Sequence, residues 1–468
     1  MRSALRLARM GPASQDVERF SALELGRAAK RALAEGDLTE ELWAKYAART
    51  EELLPDLHFE QAARFASAFS TARYVEFPLF AKLSARALEC LPSAAHADEE
   101  VAQDISAQDL RRMAIACGKA QAFDGELLEA MVPLIIERVQ DFRPRELVHI
   151  ADAYARVPVQ GPDLFALVAE ALPRYLYDLK PPELASLCRS FAEAAVYNEE
   201  LADALAAEVS KRSRSFGAME CLVFLDGLSR LREGMPEDLR ASRKERDAEV
   251  VAAITEQLSG SASSLAAAEL VRAFAALVRL DHYNPRLVHG RICAALALKL
   301  DQLAQGAPLG AFARPQQAAR GFSGLAELLH CLSLLPAQSH KSAELALAVN
   351  QMMIQTLEQS MQAHEQDLER RGAMPGKNLT SLVGRLPDPR ALAMAAAAVA
   401  QLARAGQEDE ELLRLIGVVV AGPKTSAALL SLASEDELED LQRAFELCSS
   451  NAVADALEAV ASELQQRS

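Results

Sequence analysis

The chain has 468 residues with 50% apolar, 25% charged and 5% aromatic side chains, and its formal net charge is −16. An acidic chain of this kind is not held to nucleic acid by its overall field, so binding to a polyanion would need a local basic surface. No apolar run approaches the roughly 18 residues of a membrane span, and we therefore predict none.

The first predicted element is an N-terminal segment, residues 1–55, that opens with a basic stretch. Arg2, Arg6 and Arg9 precede the first acid, Asp16. A start that carries arginine and serine but no acid is similar to an organellar transit peptide, and an ordinary frayed terminus is the equally weighted alternative. Helices are predicted to follow. The expected localisation is mitochondrial, with the cytoplasm as the alternative.

A repeat of 37 residues dominates the second segment, residues 56–335. Its clearest anchors are Leu110, Leu147, Leu184 and Cys221, each 37 positions after the last. Around each anchor, apolar residues fall at offsets 0, +3, +4, +7 and +8, which is one face of a helix. A fixed period of this size is typical of stacked repeats. The sequence therefore predicts an all-α fold, an α-solenoid of stacked antiparallel helix pairs, each with a helix A and a helix B.

Less regular copies of the template extend the repeat in both directions. They begin at Ala62, Leu270, Phe322, Ala391 and Leu438. The last two lie in the third segment, residues 336–468, which is predicted to hold looser, acidic helical repeats and a cap. The basic insert 240–246 is predicted to be a solvated loop or a helix extension, and contact with phosphate is the alternative.

No catalytic or metal-binding arrangement is predicted. The chain has neither a Gly-x-x-x-x-Gly-Lys phosphate loop nor a Gly-x-Gly-x-x-Gly turn. Ser323 lies in a Gly-Phe-Ser-Gly sequence that is one residue short of a nucleophile elbow, so we predict a helix residue. His282 and His289 could share a helical face, but no acid completes a ligand set. Single cysteines are expected to be small core residues. We predict no cofactor, no small-molecule substrate and no enzymatic activity.

The best candidate for a binding site is a column of basic residues on the A helices. Offsets +2 and +9 from each anchor are seven residues apart and lie opposite the apolar stripe. They hold Arg64, Arg112, Lys119, His149, Arg156, Arg230, Arg272 and Arg279. This basic column suits RNA phosphates or an acidic protein partner, and the alternative is the ordinary charge of an exposed helix face.

The 37-residue unit resembles the heptatricopeptide repeat over residues 56–335. Its openings are Ala-Gln-Asp-Leu110, Pro-Arg-Glu-Leu147 and Pro-Pro-Glu-Leu184. It is also similar to the octotricopeptide repeats and to the helical region of FAST-kinase-like and RAP-domain proteins. These families are associated with RNA processing, RNA stability and divergent ribosomes in mitochondria and plastids.

The resemblance implies a non-catalytic scaffold in mitochondrial RNA metabolism. Such a scaffold would be a structural component of a ribonucleoprotein, such as a divergent mitochondrial ribosome, and would contact RNA, proteins or both. The acidic charge and the lack of a RAP-type segment favour a scaffold over a sequence-specific RNA factor. The alternative is a protein–protein adaptor or structural subunit of another organellar complex, with no RNA contact.

Overall fold

The computed structural model describes residues 17–91, 105–121, 125–157, 161–304, 318–336, 339–371, 386–404, 410–422, 426–446 and 453–467. Within these ranges the chain consists of α-helices joined by turns, with no β-strand, so the all-α prediction is confirmed. The basic stretch that carries Arg2, Arg6 and Arg9 lies outside the described residues.

The helices form pairs, in which we call the first helix A and the second helix B. The A helices are α1 (Ala22–Glu35), α3 (Phe59–Ala72), α5 (Ala107–Ala120), α7 (Pro144–Ala155), α9 (Pro181–Glu193), α11 (Ala218–Glu233), α13 (Ala267–Arg279), α16 (Ala318–Ser333), α18 (Pro389–Arg404) and α21 (Glu435–Glu446). The B helices are α2 (Glu40–Leu53), α4 (Phe77–Glu89), α6 (Gly125–Glu137), α8 (Pro162–Ala171), α10 (Glu199–Arg212), α12 (Glu237–Ser261), α15 (Ala294–Ala304), α17 (His340–Arg371), α19 (Glu410–Ala421) and α22 (Ala454–Arg467). The short α14 (Pro285–Leu287) and a π-helical turn, Val288–Cys293, precede α15, and α20 (Ser426–Leu432) follows α19.

The chain divides into two compact units, each a two-layer stack. Unit 1 comprises Met1–Ser215 and Arg230–Val250, and unit 2 comprises Phe216–Ser229 and Val251–Ser468. In unit 1, the A helices α1, α3, α5, α7 and α9 pack one on the next, and so do the B helices α2, α4, α6, α8 and α10. Because the two helices of each pair are joined by short connections and pack together, they run antiparallel.

Unit 2 repeats this arrangement with less regular spacing. Its A helices α13, α16, α18 and α21 pack one on the next, as do its B helices α15, α17, α19 and α22. The predicted stacking of antiparallel helix pairs is therefore confirmed within each unit. Helices α5, α7, α9 and α11 begin 37 residues apart, and the four anchors from Leu110 to Cys221 are buried. The division into three segments with boundaries at residues 55 and 335, made from the sequence, remains a prediction.

A carboxylate one position before the anchor explains where the A helices begin. The Glu146 side chain accepts a hydrogen bond from the backbone N–H of Arg143 at 3.0 Å, and Glu183 accepts one from Lys180 at 2.7 Å. Each glutamate is the third helical residue and satisfies the N–H of the residue that precedes the helix, as in a capping box. The recurrent Pro-x-Glu-Leu opening is therefore a helix-start signal.

A side chain near the end of a B helix donates a hydrogen bond to the backbone just before helix A of the same pair. In each case the acceptor is the backbone carbonyl two positions before helix A, a strong acceptor that needs a hydrogen-bond partner when it is buried. The donor–acceptor pairs are Arg49 and Phe20 at 2.8 Å, Arg86 and Leu57 at 2.8 Å, Arg212 and Leu179 at 2.9 Å, Gln257 and Phe216 at 2.8 Å, and Arg467 and Ala433 at 2.7 Å.

The basic insert 240–246 is the N-terminal part of α12, so the helix-extension prediction is confirmed. Within unit 1, Arg243 is buried and forms ion pairs with Asp203 of α10 and with Asp247. Arg246 pairs with Glu199. These two guanidinium groups therefore hold α12 against α10.

Candidate binding surface

The basic column predicted from the sequence contains acids as well as bases. The structure adds offset +5, which is one helical turn from both +2 and +9 and lies on the same side of helix A. Acidic residues occupy this offset in α7, α11 and α16, where they are Asp152, Asp226 and Glu327. We call the residues at offsets +2, +5 and +9 together the charged column.

In unit 1 the charged column is centred on Asp152. Its carboxylate accepts a hydrogen bond at 2.7 Å from Arg156, which lies four residues later, about one helical turn away. It also pairs with Arg189, which belongs to the next A helix, α9, and it accepts a 3.1 Å hydrogen bond from the Ser186 hydroxyl. A single carboxylate is therefore shared by two guanidinium groups from adjacent repeats.

Glu193 continues this alternation of charge within unit 1. Its carboxylate lies 3.7 Å from Nε of Arg189. Burial raises the pKa of Glu193, and the positive charges of Arg189, Arg156 and Arg230 act in the opposite sense. Arg230 is therefore close enough to Glu193 to interact electrostatically, although no sequence motif links the two.

In unit 2 the charged column is centred on Asp226, which is 3% exposed. The carboxylate pairs with Arg272 at 2.8 Å and with Arg279 at 3.4 Å, both on the next A helix, α13. Arg279 also pairs with Glu327 of α16 at 3.2 Å. Ion pairs thus cross from α11 to α13 and from α13 to α16.

The remaining predicted site residues lie in unit 1 and differ in their pairing. Arg64 pairs with Glu60, and Arg112 pairs with Asp109, each within one helical turn. Lys119 and His149 are exposed. Partial desolvation, together with the nearby Arg111 guanidinium, lowers the pKa of His149, so the imidazole is neutral at pH 7.

Five of the eight predicted bases therefore form ion pairs inside the protein, namely Arg64, Arg112, Arg156, Arg272 and Arg279. A phosphate or an external carboxylate would have to compete with these partners, which weakens the attraction of the column for a polyanion. Binding of RNA or of an acidic partner by these residues stays a prediction.

Comparison with known proteins assigns the chain to no family. No family model matches the chain, and no curated protein matches it. Among solved structures, a circular tandem repeat protein with novel repeat topology and enhanced subunit contact surfaces is similar over 97% of this chain and 97% of its own. The sequence identity is 19% and the TM-score is 0.23. A likeness at this TM-score carries no argument, so the fold rests on the helix contacts alone.

The serine and the two histidines that the sequence offered as candidates for chemistry have structural explanations. Ser323 lies within α16, where its hydroxyl donates a 3.0 Å hydrogen bond to Asp388, so its prediction as a helix residue is confirmed. His282 follows α13 in a loop, whereas His289 lies in the π-helical turn, so the two histidines do not share the helical face that their spacing would allow. No group of three or more His, Cys, Asp or Glu in the described ranges could hold a metal ion.

The cysteines of the described chain are core residues, as predicted. All are free thiols, and only Cys90 is half-buried rather than buried. Burial raises the pKa of Cys221 to about 12 and that of Cys293 to about 11, so both thiols are protonated at neutral pH. Cys448 lies outside the described residues. Among the described helices, none is both long and apolar enough to cross a bilayer.

Proposed function

We propose that this protein is a non-catalytic helical-repeat scaffold that holds other proteins together in a mitochondrial ribonucleoprotein, such as a divergent mitochondrial ribosome. The stacked pairs support the scaffold role, because each repeat adds outward-facing side chains without needing a separate core. The mitochondrial ribonucleoprotein setting rests on the heptatricopeptide-like repeat openings and on the basic N-terminal stretch.

The observation that carries the preference for protein partners is the internal pairing of the charged column. RNA affinity depends on bases that release counterions from phosphates, and a base already paired with a carboxylate contributes little to that release. The carboxylates Asp152 and Asp226 also offset part of the positive charge that a phosphate close to the column would meet. Mixed charge of this kind suits a protein surface of complementary charge better than a polyanion.

Charge reversal of the column tests this proposal. We expect the triple variant Arg112→Glu, Lys119→Glu, Arg156→Glu to bind a single-stranded RNA as weakly as the wild type, with the same shallow salt dependence. Fluorescence anisotropy over a salt series measures both quantities. A large loss of RNA affinity and of salt slope in the variant would show instead that the column holds RNA directly.

A matched variant controls for net charge. Arg174→Glu, Lys180→Glu, Lys211→Glu makes the same change in net charge, on exposed residues of unit 1 away from the charged column. If both triple variants lose affinity for RNA equally, the net charge of the protein, and not the charged column, controls that affinity. The alternative function is an adaptor of another organellar complex with no RNA contact. Affinity capture of the tagged protein distinguishes the two functions, because only the proposed scaffold would be captured together with subunits of a ribonucleoprotein.

A further inference from the structure

The last described helix pair has an open groove on the side where a further pair would pack. In unit 2, α18 is covered by α21, and α19 is covered by α22. Between α21 and α22 lies a groove of about 570 Å³, to which α18 and α19 contribute no lining residue. Its lining residues are Glu435, Glu439, Gln442, Arg443 and Glu446 of α21, with Ala461, Leu464 and Gln465 of α22.

This groove has an acidic rim and a small apolar floor. Glu435, Glu439 and Glu446 recur at helical spacing along the exposed side of α21. Arg443 is its only lining base, and it is already paired with Glu439 and with Asp440 at 3.4 Å. The acids therefore exceed the bases, and an occupant of the groove should be a basic helix.

The first described A helix, α1, exposes such a surface in unit 1. Its apolar side chains Leu25, Ala29 and Ala32 are buried against the rest of the unit. The opposite side carries Leu23, which is 53% exposed, followed at helical spacing by three exposed bases. These bases are Arg27, Lys30 and Arg31. None of the three forms an ion pair with any residue that the structure describes, although Arg27 interacts electrostatically with Glu24 of the same helix.

The two surfaces match in charge and in length. The stripe from Leu23 to Arg31 spans about 12 Å, and the acidic rim from Glu435 to Glu446 spans about 16 Å, at about 1.5 Å per helical residue. The single exposed leucine of α1 is matched by the apolar floor of the groove. Mixed apolar and complementary charged contacts are what protein interfaces use.

We propose that α1 of one copy of this chain packs into the groove between α21 and α22 of a second copy. Arg27, Lys30 and Arg31 then face the carboxylates of the rim, and Leu23 lies over Leu464. Because the two patches are different surfaces, the contact is heterologous, and repetition gives either rings or linear chains of molecules. Helix A would pack on helix A, as it does between neighbouring repeats within each unit.

Sedimentation velocity of the purified full chain tests the proposal. At about 50 mM salt, the weight-average sedimentation coefficient should rise with protein concentration. The rise should disappear at about 500 mM salt, because screening weakens interactions between exposed charges. A wild-type protein that sediments as a monomer at every concentration and both salt levels would overturn the proposal.

Two charge-swap variants identify the surfaces. Lys30→Glu, Arg31→Glu and, separately, Glu435→Lys, Glu446→Lys should each weaken self-association at least tenfold, because like charges then face each other. An equimolar mixture of the two variants should associate again, since acidic α1 now meets a basic groove. Failure of the mixture to associate, or undiminished association of either variant alone, would contradict the assigned surfaces.

A third variant separates this contact from a general effect of charge. Lys211→Glu, Arg214→Glu makes the same change in net charge as the α1 variant, on exposed residues near the end of α10. It should associate like the wild type, and circular dichroism should show unchanged helicity for all variants. Equal loss of association in this variant would mean that net charge, and not the α1 surface, controls assembly.

Discussion

At the scale of single residues, Asp226 is the buried acid of the charged column in unit 2. It is buried, yet its carboxylate is shared by Arg272 and Arg279 from the next repeat. We expect Asp226→Asn to lower the free energy of unfolding by about 1–2 kcal/mol, because a neutral amide cannot compensate two guanidinium groups that remain partly desolvated. Urea denaturation measures the change.

The control is the exposed pair of Arg64 and Glu60, in which both side chains are about half exposed. Glu60→Gln should change the unfolding free energy by less than about 0.5 kcal/mol, because solvent screens a surface pair. Equal effects of the two substitutions would show that the buried carboxylate of Asp226 does not link the repeats.

Gly118 is required where the A helices α5 and α7 approach closely. A Cβ at this position would lie 2.8 Å from Cα of Ala153 and 2.9 Å from its carbonyl oxygen, both backbone atoms of α7. Gly118→Ala should therefore destabilise the protein by about 1–3 kcal/mol, as overpacking does. Gly26→Ala in α1, where nothing lies within 4 Å, should instead stabilise by about 0.5–1 kcal/mol. Thermal melts that rank the two variants in the reverse order would contradict the packing of α5 on α7.

The sequence predicts the basic half of the charged column but not its acidic half. Arginine and lysine recur at offsets +2 and +9 opposite the apolar stripe, and this recurrence predicts the basic half. Offset +5 alternates between Asp152, Arg189 and Asp226 in successive repeats, so it shows no constant residue type. Pairing across repeats depends on the distance between stacked helices, and the 37-residue spacing does not report that distance.

At the scale of elements, the ends of the A helices carry a recurrent left-handed turn. Gly36, Arg73, Ala195 and Asp281 all have positive φ, between 50° and 71°. The residue after each donates its N–H to a carbonyl five positions earlier, as Val196 does to Phe191 at 3.0 Å. This is the Schellman arrangement, which favours glycine.

Replacement of Ala195 by glycine tests this account of the helix ends. Ala195→Gly should stabilise the protein by about 1 kcal/mol, because a side chain with a Cβ is strained at a φ of 53°. Gly36→Ala should destabilise it by a similar amount. Differential scanning calorimetry would contradict the account if Ala195→Gly lowered the melting temperature.

Most elements follow from the sequence, and the exceptions have physical causes. The Pro-x-Glu-Leu openings predict the starts of α7 and α9, because proline and an N3 acid are local signals. The turn at Ala195 has no such signal, since alanine disfavours the left-handed conformation found there. The helix extension at 240–246 is predicted, but the burial of Arg243 within it is not, because that burial depends on the acids Asp203 and Asp247.

At the scale of the whole molecule, stability should depend on histidine protonation. Burial lowers the pKa values of His282, His289 and His330 below the ordinary value of 6.5, and desolvation does the same for His149. The folded state therefore binds fewer protons than the unfolded state, so stability falls as pH falls through 6.5. We expect a lower melting temperature at pH 5.5 than at pH 7.5.

The half-buried His330 supplies the comparison for this prediction. His330→Gln should show a smaller loss of melting temperature between pH 7.5 and pH 5.5, because one imidazole that resists protonation is gone. The raised pKa of Glu193 has the opposite effect on stability. The folded state binds the proton of Glu193 more tightly than the unfolded state does, so protonation of this carboxyl stabilises the fold, mainly at lower pH. A variant whose melting temperature depends on pH as steeply as that of the wild type would rule out a contribution from His330.

Affinity capture of the tagged protein from its native organism, split into nuclease-treated and untreated halves, shows whether the protein holds its partners through protein or through RNA contacts. We predict that the same set of ribonucleoprotein subunits is captured from both halves, because the scaffold contacts proteins and its basic column is paired internally. Partners that nuclease releases would mean that RNA mediates the contacts, and this result would contradict the account.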